Sequence, residues 1–226
     1  MCQNRAGIDG SEGGMTRQFH IKVCGLTAED NLQNVLLSGV DAIGVISCPP
    51  SPRHVEVEDV VDLLETSRRL DPLVERHWVV RGLSLTELDA AFSAGLSCTH
   101  VQLHGGYARA AAELVRDHGR QPVQVHSMVD DAFPSVWPET ERLLLDTPSE
   151  AGGGTGRPFD WTALSRWQAP SVEVILAGGL HPRIPKAKLL KLPDWVTGLD
   201  LNSGVETSPG IKSPELIHQF KHLCTS

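Results

Sequence analysis

The chain lacks the features that mark membrane, secreted and nucleic-acid-binding proteins. No apolar run approaches the roughly 18 residues needed to cross a membrane. The amino-terminal segment lacks the apolar centre of a signal peptide. The net charge is −8, which is the opposite of the basic surface that binds nucleic acid. These absences predict a cytoplasmic protein with a small-molecule partner, and no nucleic-acid or membrane partner.

Cysteine is scarce and scattered. The five cysteines are Cys2, Cys24, Cys48, Cys98 and Cys224. Their odd number and wide spacing exclude a closely spaced pair or a Cys/His cluster with zinc spacing. The pattern is typical of a reducing compartment, where cysteines remain free thiols.

The length of 226 residues suits one domain with a sizeable core. Residues 1–18 are polar and glycine-rich, so we predict a disordered extension there. Residues 19–226 would then form a single catalytic domain.

Short apolar, β-branched runs alternate with amphipathic stretches along this domain. The predicted strands are 20–24, 42–46, 77–80, 99–103, 122–126, 142–146, 172–176 and 197–201. Such alternation indicates βαβ units and a parallel sheet. Eight units predict an α/β protein that folds as a single (β/α)8 TIM barrel, and a doubly wound open sheet is the alternative.

Local signals mark the helices between these strands. Thr27 and Asp30 are candidate capping residues for the first helix. Ser84 followed by Glu87 predicts a capping box at the start of another. The stretches after strands five and seven are rich in proline, which predicts short or irregular helices there.

Two strand ends carry groups suited to proton transfer. Barrel enzymes place their chemistry at the carboxyl ends of the strands. Cys24 ends strand one, and Asp146 ends strand six. A lone cysteine is more often a small buried hydrophobe, and an aspartate there is often a turn residue. Their placement at one mouth nevertheless suits a base and an acid on opposite sides of a substrate.

Glycine-rich loops and one arginine are candidate anion sites. Gly178 and Gly179 follow strand seven, and Gly204 follows strand eight, where backbone N–H groups can approach a phosphate. Tight turns are the alternative for each glycine taken singly. Arg53 follows a rigid proline segment, and its guanidinium is either a surface charge or a bidentate donor to a substrate carboxylate. The 152–156 glycine run is either a linker or a loop that shields the mouth.

An ordered set of motifs spans nearly the whole domain, from Ile21 to Lys212. The set reads IKVCGLT, GVDAIGV with SPRHV, VQLHG, LLLDT, GGTG with FDW, ILAGGL, and GLDLNSGVE with PGIK. In this order the motifs resemble the phosphoribosylanthranilate isomerase family of tryptophan biosynthesis. The resemblance implies a (β/α)8 barrel with no cofactor and no metal, active as a monomer or homodimer on a sugar-phosphate substrate.

The resemblance also implies an Amadori rearrangement with Cys24 as general base and Asp146 as general acid. For a cysteine to act as a base, its thiolate must be accessible, which requires a pKa lowered toward neutrality. Lys22 lies two residues from Cys24, on the same face of its strand, and is a candidate helper.

The same resemblance implies the residues that bind the substrate. Arg53 would hold the anthranilate carboxylate, and Asp200 the ribose hydroxyls. Gln102 and His104 would line the mouth. The backbone groups assigned to the phosphate are those of Gly178, Gly179, Ser203 and Gly204.

Two other kinds of protein remain as alternatives. A neighbouring barrel enzyme could be an isomerase of a histidine-pathway aminoaldose, expected to use paired aspartates, or a pentose-phosphate epimerase, expected to show metal ligands at strand ends. A non-catalytic barrel that binds a phosphorylated ligand would keep the glycines and lose the acid or the base. The presence of both Cys24 and Asp146 argues against the non-catalytic barrel and favours the phosphoribosylanthranilate isomerase family.

Overall fold

Eight parallel strands form a closed barrel, as the sequence predicts. The computed structural model describes residues 17–128, 133–146 and 161–225. The strands are β1 (His20–Cys24), β2 (Ala42–Ser47), β3 (Glu75–Arg81), β4 (His100–His104), β5 (Gln121–Ser127), β6 (Arg142–Asp146), β7 (Glu173–Ala177) and β8 (Val196–Leu201). Each strand pairs with its neighbours in chain order, and β1 also pairs with β8, which closes the ring.

Helices connect most of the strands and pack outside the barrel. They are α1 (Glu29–Leu37), α2 (Val57–Leu70), α3 (Leu85–Ser93), α4 (Arg109–Asp117), α5 (Lys186–Leu190) and α6 (Pro214–Thr225). Two 3-10 helices cover Trp161–Arg166 and Ser203–Val205, and a small hairpin joins β9 (Glu206–Ser208) to β10 (Ile211–Lys212). Within the described residues, no helix has the length and apolarity needed to cross a membrane.

The predicted capping of the helices is confirmed at one helix and wrong at another. Ser84 and Glu87 form the reciprocal capping box of α3, an arrangement that stabilises a helix by about 1 kcal/mol. Helix α1 instead begins after Ala28, with no side-chain cap. The Thr27 hydroxyl donates to the Gly210 carbonyl oxygen, 3.3 Å away, so a tertiary contact takes the group that could have capped the helix.

The proline-rich connections are irregular, as predicted. After β5, the described residues 133–141 contain no helix, and the segment is tied to the strand by Gln124. The Gln124 side chain donates to the Ser135 carbonyl oxygen at 2.8 Å and accepts from the Trp137 N–H at 2.9 Å. After β7, helix α5 has only five residues.

The predicted amino-terminal extension lies almost wholly outside the described residues, as does the 152–156 glycine run. At its end, Arg17 already contacts the barrel. The Arg17 guanidinium donates to the carbonyl oxygens of Leu192 and Val196 at 2.6 and 2.5 Å, and it lies 4.5 Å from the centre of the Phe19 ring.

The interior of the barrel is charged at the amino-terminal end of the strands. Glu75 on β3 pairs with Arg142 on β6, and the 2.5 Å distance between Arg142 Nη1 and Glu75 Oε2 joins strands that are not neighbours. His77 and His100 stack beside this pair, with ring centres 4.4 Å apart. Arg142 also reaches Glu173 at the start of β7. Because these groups span the barrel, they close its amino-terminal end with ion pairs.

Burial of these histidines makes the stability of the fold dependent on pH. Burial lowers the pKa of His100 to about 4 and that of His77 well below its usual value. In the unfolded chain these two histidines become protonated near pH 6.5, whereas in the folded chain they stay neutral to a lower pH. The folded state is therefore fully favoured above pH 6.5 and loses stability as the pH falls toward 4.

Between pH 7 and pH 4, the free energy of unfolding should fall by about 3 kcal/mol less in His100→Gln than in the wild type. The measurement is urea unfolding of the wild type and the variant at pH 7, 6, 5 and 4. His218→Gln, on the exposed face of α6, is the control and should follow the wild type. Equal pH dependence in wild type and His100→Gln would show that His100 does not titrate on unfolding.

Candidate active site

The carboxyl ends of the parallel strands meet at one mouth of the barrel. Cys24 ends β1, His104 ends β4 and Asp146 ends β6, while Asp200 is the penultimate residue of β8. Because the sheet closes into a ring, strands far apart in the sequence bring these side chains to one end of the molecule. The fold therefore brings the predicted base and acid to the same mouth.

The Cys24 side chain is held in a tight space between β1 and β2. Cys24 is 4% exposed, and it packs against Ile46, Cys48 and Val79. A Cβ on Gly44, the partner of Cys24 in β2, would lie 2.8 Å from the Cys24 sulfur and 3.0 Å from Lys22 Nζ. Glycine at position 44 thus leaves the room that the thiol and the ammonium occupy.

A buried ion pair lies beside this thiol. Lys22 Nζ donates to Asp200 Oδ2 at 2.9 Å, and neither side chain has more than slight exposure. The Lys22 ammonium also interacts with the Cys24 thiol. Burial lowers the pKa of Lys22, but the charges of Asp200 and Cys24 more than offset this, so the pKa of Lys22 is raised and its amine stays protonated.

The pKa of the thiol departs from the sequence-based requirement. Burial raises the pKa of Cys24 above its ordinary value, and the nearby Lys22 opposes this rise without cancelling it. Asp200 adds to the rise because its negative charge disfavours a thiolate. The resting site therefore holds the neutral thiol beside a charged ammonium–carboxylate pair.

Asp146 carries a carboxyl group suited to giving up a proton near neutral pH. Burial, with a contribution from the charge of Asp200, raises the pKa of Asp146 to about 6. A carboxyl group with such a pKa is protonated in a substantial fraction of molecules near pH 6, which a general acid requires.

Arg53 lies at the mouth but is not a free bidentate donor. Its Nε and Nη2 donate to the two carboxylate oxygens of Glu206 at 2.8 and 2.6 Å. Lys212 Nζ donates to the same carboxylate at 2.5 Å and to Asn202 Oδ1 at 2.7 Å. Burial would raise the pKa of Glu206, but Arg53 and Lys212 together hold it at about 2. The network fixes the direction of the Arg53 side chain.

The residues from β4 form a hydrogen-bonded pair. The Gln102 amide nitrogen lies 2.6 Å from His104 Nε2. Burial lowers the pKa of His104 to about 4, with a further contribution from Lys22, so the imidazole is neutral near pH 7. A neutral imidazole can accept the hydrogen bond from Gln102 and orient it.

The two glycine-marked loops approach each other closely. A Cβ on Gly204 would lie 1.9 Å from the Leu180 carbonyl oxygen, so only glycine fits there. Gly178 and Gly179 have φ values of 86° and 68°, and a Cβ on Gly179 would meet no atom of the described residues within 4 Å beyond its own chain neighbours. Ser203 is exposed beside Gly204. The described residues thus leave open space beside the backbone of Gly179.

Three residues of the mouth were not recognised from the sequence. Gly44 leaves space for the side chains of Cys24 and Lys22. Glu206 and Lys212 pair with charges that are distant in the sequence or hold them in place. Glu206 and Lys212 did fall within the quoted SGVE and PGIK motifs, which was the available signal. A side-chain partner for Arg53 cannot be chosen from sequence spacing alone.

One cluster in the described part of the chain has the donor types of a metal site, and it lies at the opposite end of the barrel. The donor atoms of Glu75, His77 and His100 lie within 4.8 Å of one another. The Arg142 guanidinium, 2.5 Å from Glu75 Oε2, already supplies a positive charge to this carboxylate. A divalent cation would have to displace Arg142, so the cluster serves as an ion-pair network.

Comparison with known proteins identifies one family over almost the whole barrel. Residues 21–222 match the family model described as N-(5'-phosphoribosyl)anthranilate (PRA) isomerase. The N-(5'-phosphoribosyl)anthranilate isomerase of Synechococcus sp. is 34% identical over 206 residues, which cover 88% of this chain and 93% of the relative. That of Rhodospirillum rubrum is 35% identical over 213 residues, covering 88% and 94%.

A solved structure agrees with these relatives. The crystal structure of TrpF from Jonesia denitrificans has a TM-score of 0.75 and 30% identity, and the match covers 92% of this chain and 97% of that one. The barrel, the ordered motifs and the relatives agree, and the chain belongs to the N-(5'-phosphoribosyl)anthranilate isomerase family, enzymes of tryptophan biosynthesis.

Proposed function

We propose that the protein converts N-(5-phosphoribosyl)anthranilate to 1-(o-carboxyphenylamino)-1-deoxyribulose 5-phosphate, with Asp146 as general acid and Cys24 as general base. The observation that carries this proposal is the meeting of these two groups at one mouth, on strands β6 and β1, beside two glycine-marked loops. An Amadori rearrangement needs one proton given and another removed on different parts of the sugar.

Asp146 acts first in the proposed sequence. Its carboxyl group gives a proton to the ribose ring oxygen as the bond between that oxygen and C1′ breaks. The anilinic nitrogen supplies the electron pair, so an open-chain protonated Schiff base forms. The raised pKa of Asp146, about 6, favours this role because the acid form must be present near neutral pH.

Cys24 acts second. Its thiolate removes the proton from C2′, and the electrons of that C–H bond form a C1′–C2′ double bond as the iminium nitrogen becomes neutral. The resulting enolamine tautomerises to the ketone. Because the resting group is the neutral thiol, its proton passes to solvent water before this step, and the thiolate forms in a nearly closed space where Cys24 is only slightly exposed.

Two groups of the mouth suit different parts of the substrate. Glu206 takes Nε and Nη2 of Arg53, which leaves Nη1 to meet the anthranilate carboxylate. Asp200 uses Oδ2 for Lys22, and its buried Oδ1 has no partner among the described residues, so it can accept from a ribose hydroxyl. Gln102 and His104, from β4, line the mouth.

The phosphate belongs in the open space at Gly178 and Gly179, with Ser203 and Gly204 on the facing loop. Backbone N–H groups there can approach an anion without obstruction by a side chain. The net charge of −8 makes such local donors necessary, because the overall field repels an anion.

We expect Cys24→Ser and Asp146→Asn each to lower kcat by about 10²–10⁴-fold, because each removes a proton-transfer group and preserves side-chain size. The assay follows the loss of anthranilate-type fluorescence from freshly generated phosphoribosylanthranilate. KM should change little, since neither group contributes most of the binding energy.

Two variants provide matched controls for this assay. Cys224→Ser changes a thiol on α6, and Asp62→Asn changes an exposed carboxylate on α2. Both should keep wild-type rates. Full activity in Cys24→Ser or Asp146→Asn would remove that residue from the mechanism, and an inactive wild type would reject the substrate.

We expect Gly179→Ala to raise the Kd for inorganic phosphate and the KM for substrate about tenfold, because its methyl group would enter the space assigned to the phosphate. The matched control is Gly119→Ala, since Gly119 has a φ of 70° and equally open surroundings after α4. Calorimetric titration with phosphate gives Kd, and melting temperatures measure the backbone strain shared by both variants. Equal Kd values in the two variants would place the phosphate elsewhere.

A further inference from the structure

Lys22 is a fully buried cation that the proposed chemistry leaves without a task. Its side chain is 0% exposed, and its ammonium donates to the carboxylate of Asp200 and borders, beside Gly44, the same small space as the Cys24 sulfur. Burying a lysine is costly, and one that serves only to fill space could be replaced by methionine or leucine. The position of the ammonium, beside the sulfur assigned as base, indicates a task at that sulfur.

We propose that Lys22 is the positioning residue that allows the Cys24 sulfur to carry a negative charge. This inference rests on the proposed function, in which Cys24 is the base. Lys22 acts through Cys24 and has no contact assigned with the substrate.

The first argument concerns what surrounds the sulfur. An isolated thiolate in this space would be strongly disfavoured, because apolar side chains surround much of it and water has little access. The charged groups that face it are Lys22 from β1, Asp200 from β8, and Lys212 with Arg53 from the mouth. Of these cations, Lys22 borders the same small space as the sulfur, since a Cβ on Gly44 would lie 2.8 Å from Cys24 Sγ and 3.0 Å from Lys22 Nζ.

The second argument concerns the other cations. Arg53 and Lys212 share the carboxylate of Glu206, and Lys212 also donates to Asn202. Their effect on Cys24 is therefore exerted through space and partly neutralised. Lys22 has three N–H groups and donates to one carboxylate oxygen of Asp200, so its ammonium keeps donor capacity beside the thiol.

Lys22 and Asp200 carry opposite charges, so an electrostatic role predicts that their removal moves the thiol pKa in opposite directions. The charge of Lys22 lowers the pKa of the thiol, whereas the charge of Asp200 raises it. A purely structural pair would affect the thiol in the same direction when either member is removed. The opposite signs therefore separate an electrostatic role from a structural one.

The test is the pH dependence of Cys24 alkylation by iodoacetamide, measured on the full chain without substrate. Peptide fragmentation mass spectrometry separates Cys24 from Cys48. The midpoint of rate against pH reports the thiol pKa, and it is insensitive to differences in access that scale all rates equally. The variants are Lys22→Met, Asp200→Asn and the double variant.

We expect the midpoint of Lys22→Met to rise by at least about one pH unit, with alkylation below the midpoint slowed about tenfold. The midpoint of Asp200→Asn should fall, because a carboxylate no longer opposes the thiolate. In the isomerase assay, Lys22→Met should lower kcat at neutral pH with KM little changed, and higher pH should restore part of the rate.

The double variant guards against loss of folding. Lys22→Met alone leaves the Asp200 carboxylate buried without its partner, which can unfold a protein. Lys22→Met with Asp200→Asn leaves no charge on either residue, so its midpoint should lie above that of the wild type. Lys191→Met, at the exposed end of α5, is the control and should match the wild type.

Two results would overturn the inference. One is a wild-type midpoint in folded Lys22→Met or in the double variant. The other is a shift of Lys22→Met and Asp200→Asn in the same direction. An inactive wild type rejects the proposed function alone, because the alkylation midpoints are measured without turnover and still decide the relation of Lys22 to Cys24.

Discussion

The ion pair between Lys22 and Asp200 is the interaction on which the mouth of the barrel depends. It joins β1 to β8, the two strands whose pairing closes the ring, and it is almost wholly buried. Removing two charges from water costs several kcal/mol per ion unless each finds a close partner. Here the 2.9 Å bond supplies that partner, and the pair also bears on the protonation of Cys24 and Asp146.

The two ends of the barrel use buried charge differently. At the amino-terminal end, Glu75 and Arg142 connect opposite strands, with two histidines stacked beside them. These groups pair across the barrel and contribute to stability, although the buried His77 Nδ1 has no partner among the described residues. At the carboxyl end, Asp200 Oδ1 has no partner within the described residues, and Asp146 has a raised pKa. An unpartnered buried carboxylate oxygen close to a carboxyl group with a raised pKa is typical of a site that binds a ligand.

Close packing also shapes the mouth of the barrel. Gly44 leaves room for the sulfur and the ammonium, and Gly204 allows one loop to approach the carbonyl oxygen of Leu180. Glu206 and Lys212, which belong to the hairpin after β8, reach Arg53 after β2 and fix its direction. The mouth is thus assembled from segments distant in sequence, and each depends on the barrel for its position.

The sequence by itself determined the barrel, its strand order and the motifs that place the chain in its family. Alternation of apolar runs with helical patterns is a local property, so eight strands could be located to within a few residues. The tertiary structure decided the rest. In the folded chain, Arg53 pairs with Glu206, and the Thr27 hydroxyl donates to the Gly210 carbonyl oxygen and does not cap α1. Burial raises the pKa of Cys24, whereas a role as base requires a lowered pKa. The partner of a side chain, its burial and the charges around it depend on which groups meet across the closed sheet. The spacing of residues along the chain does not determine which groups meet.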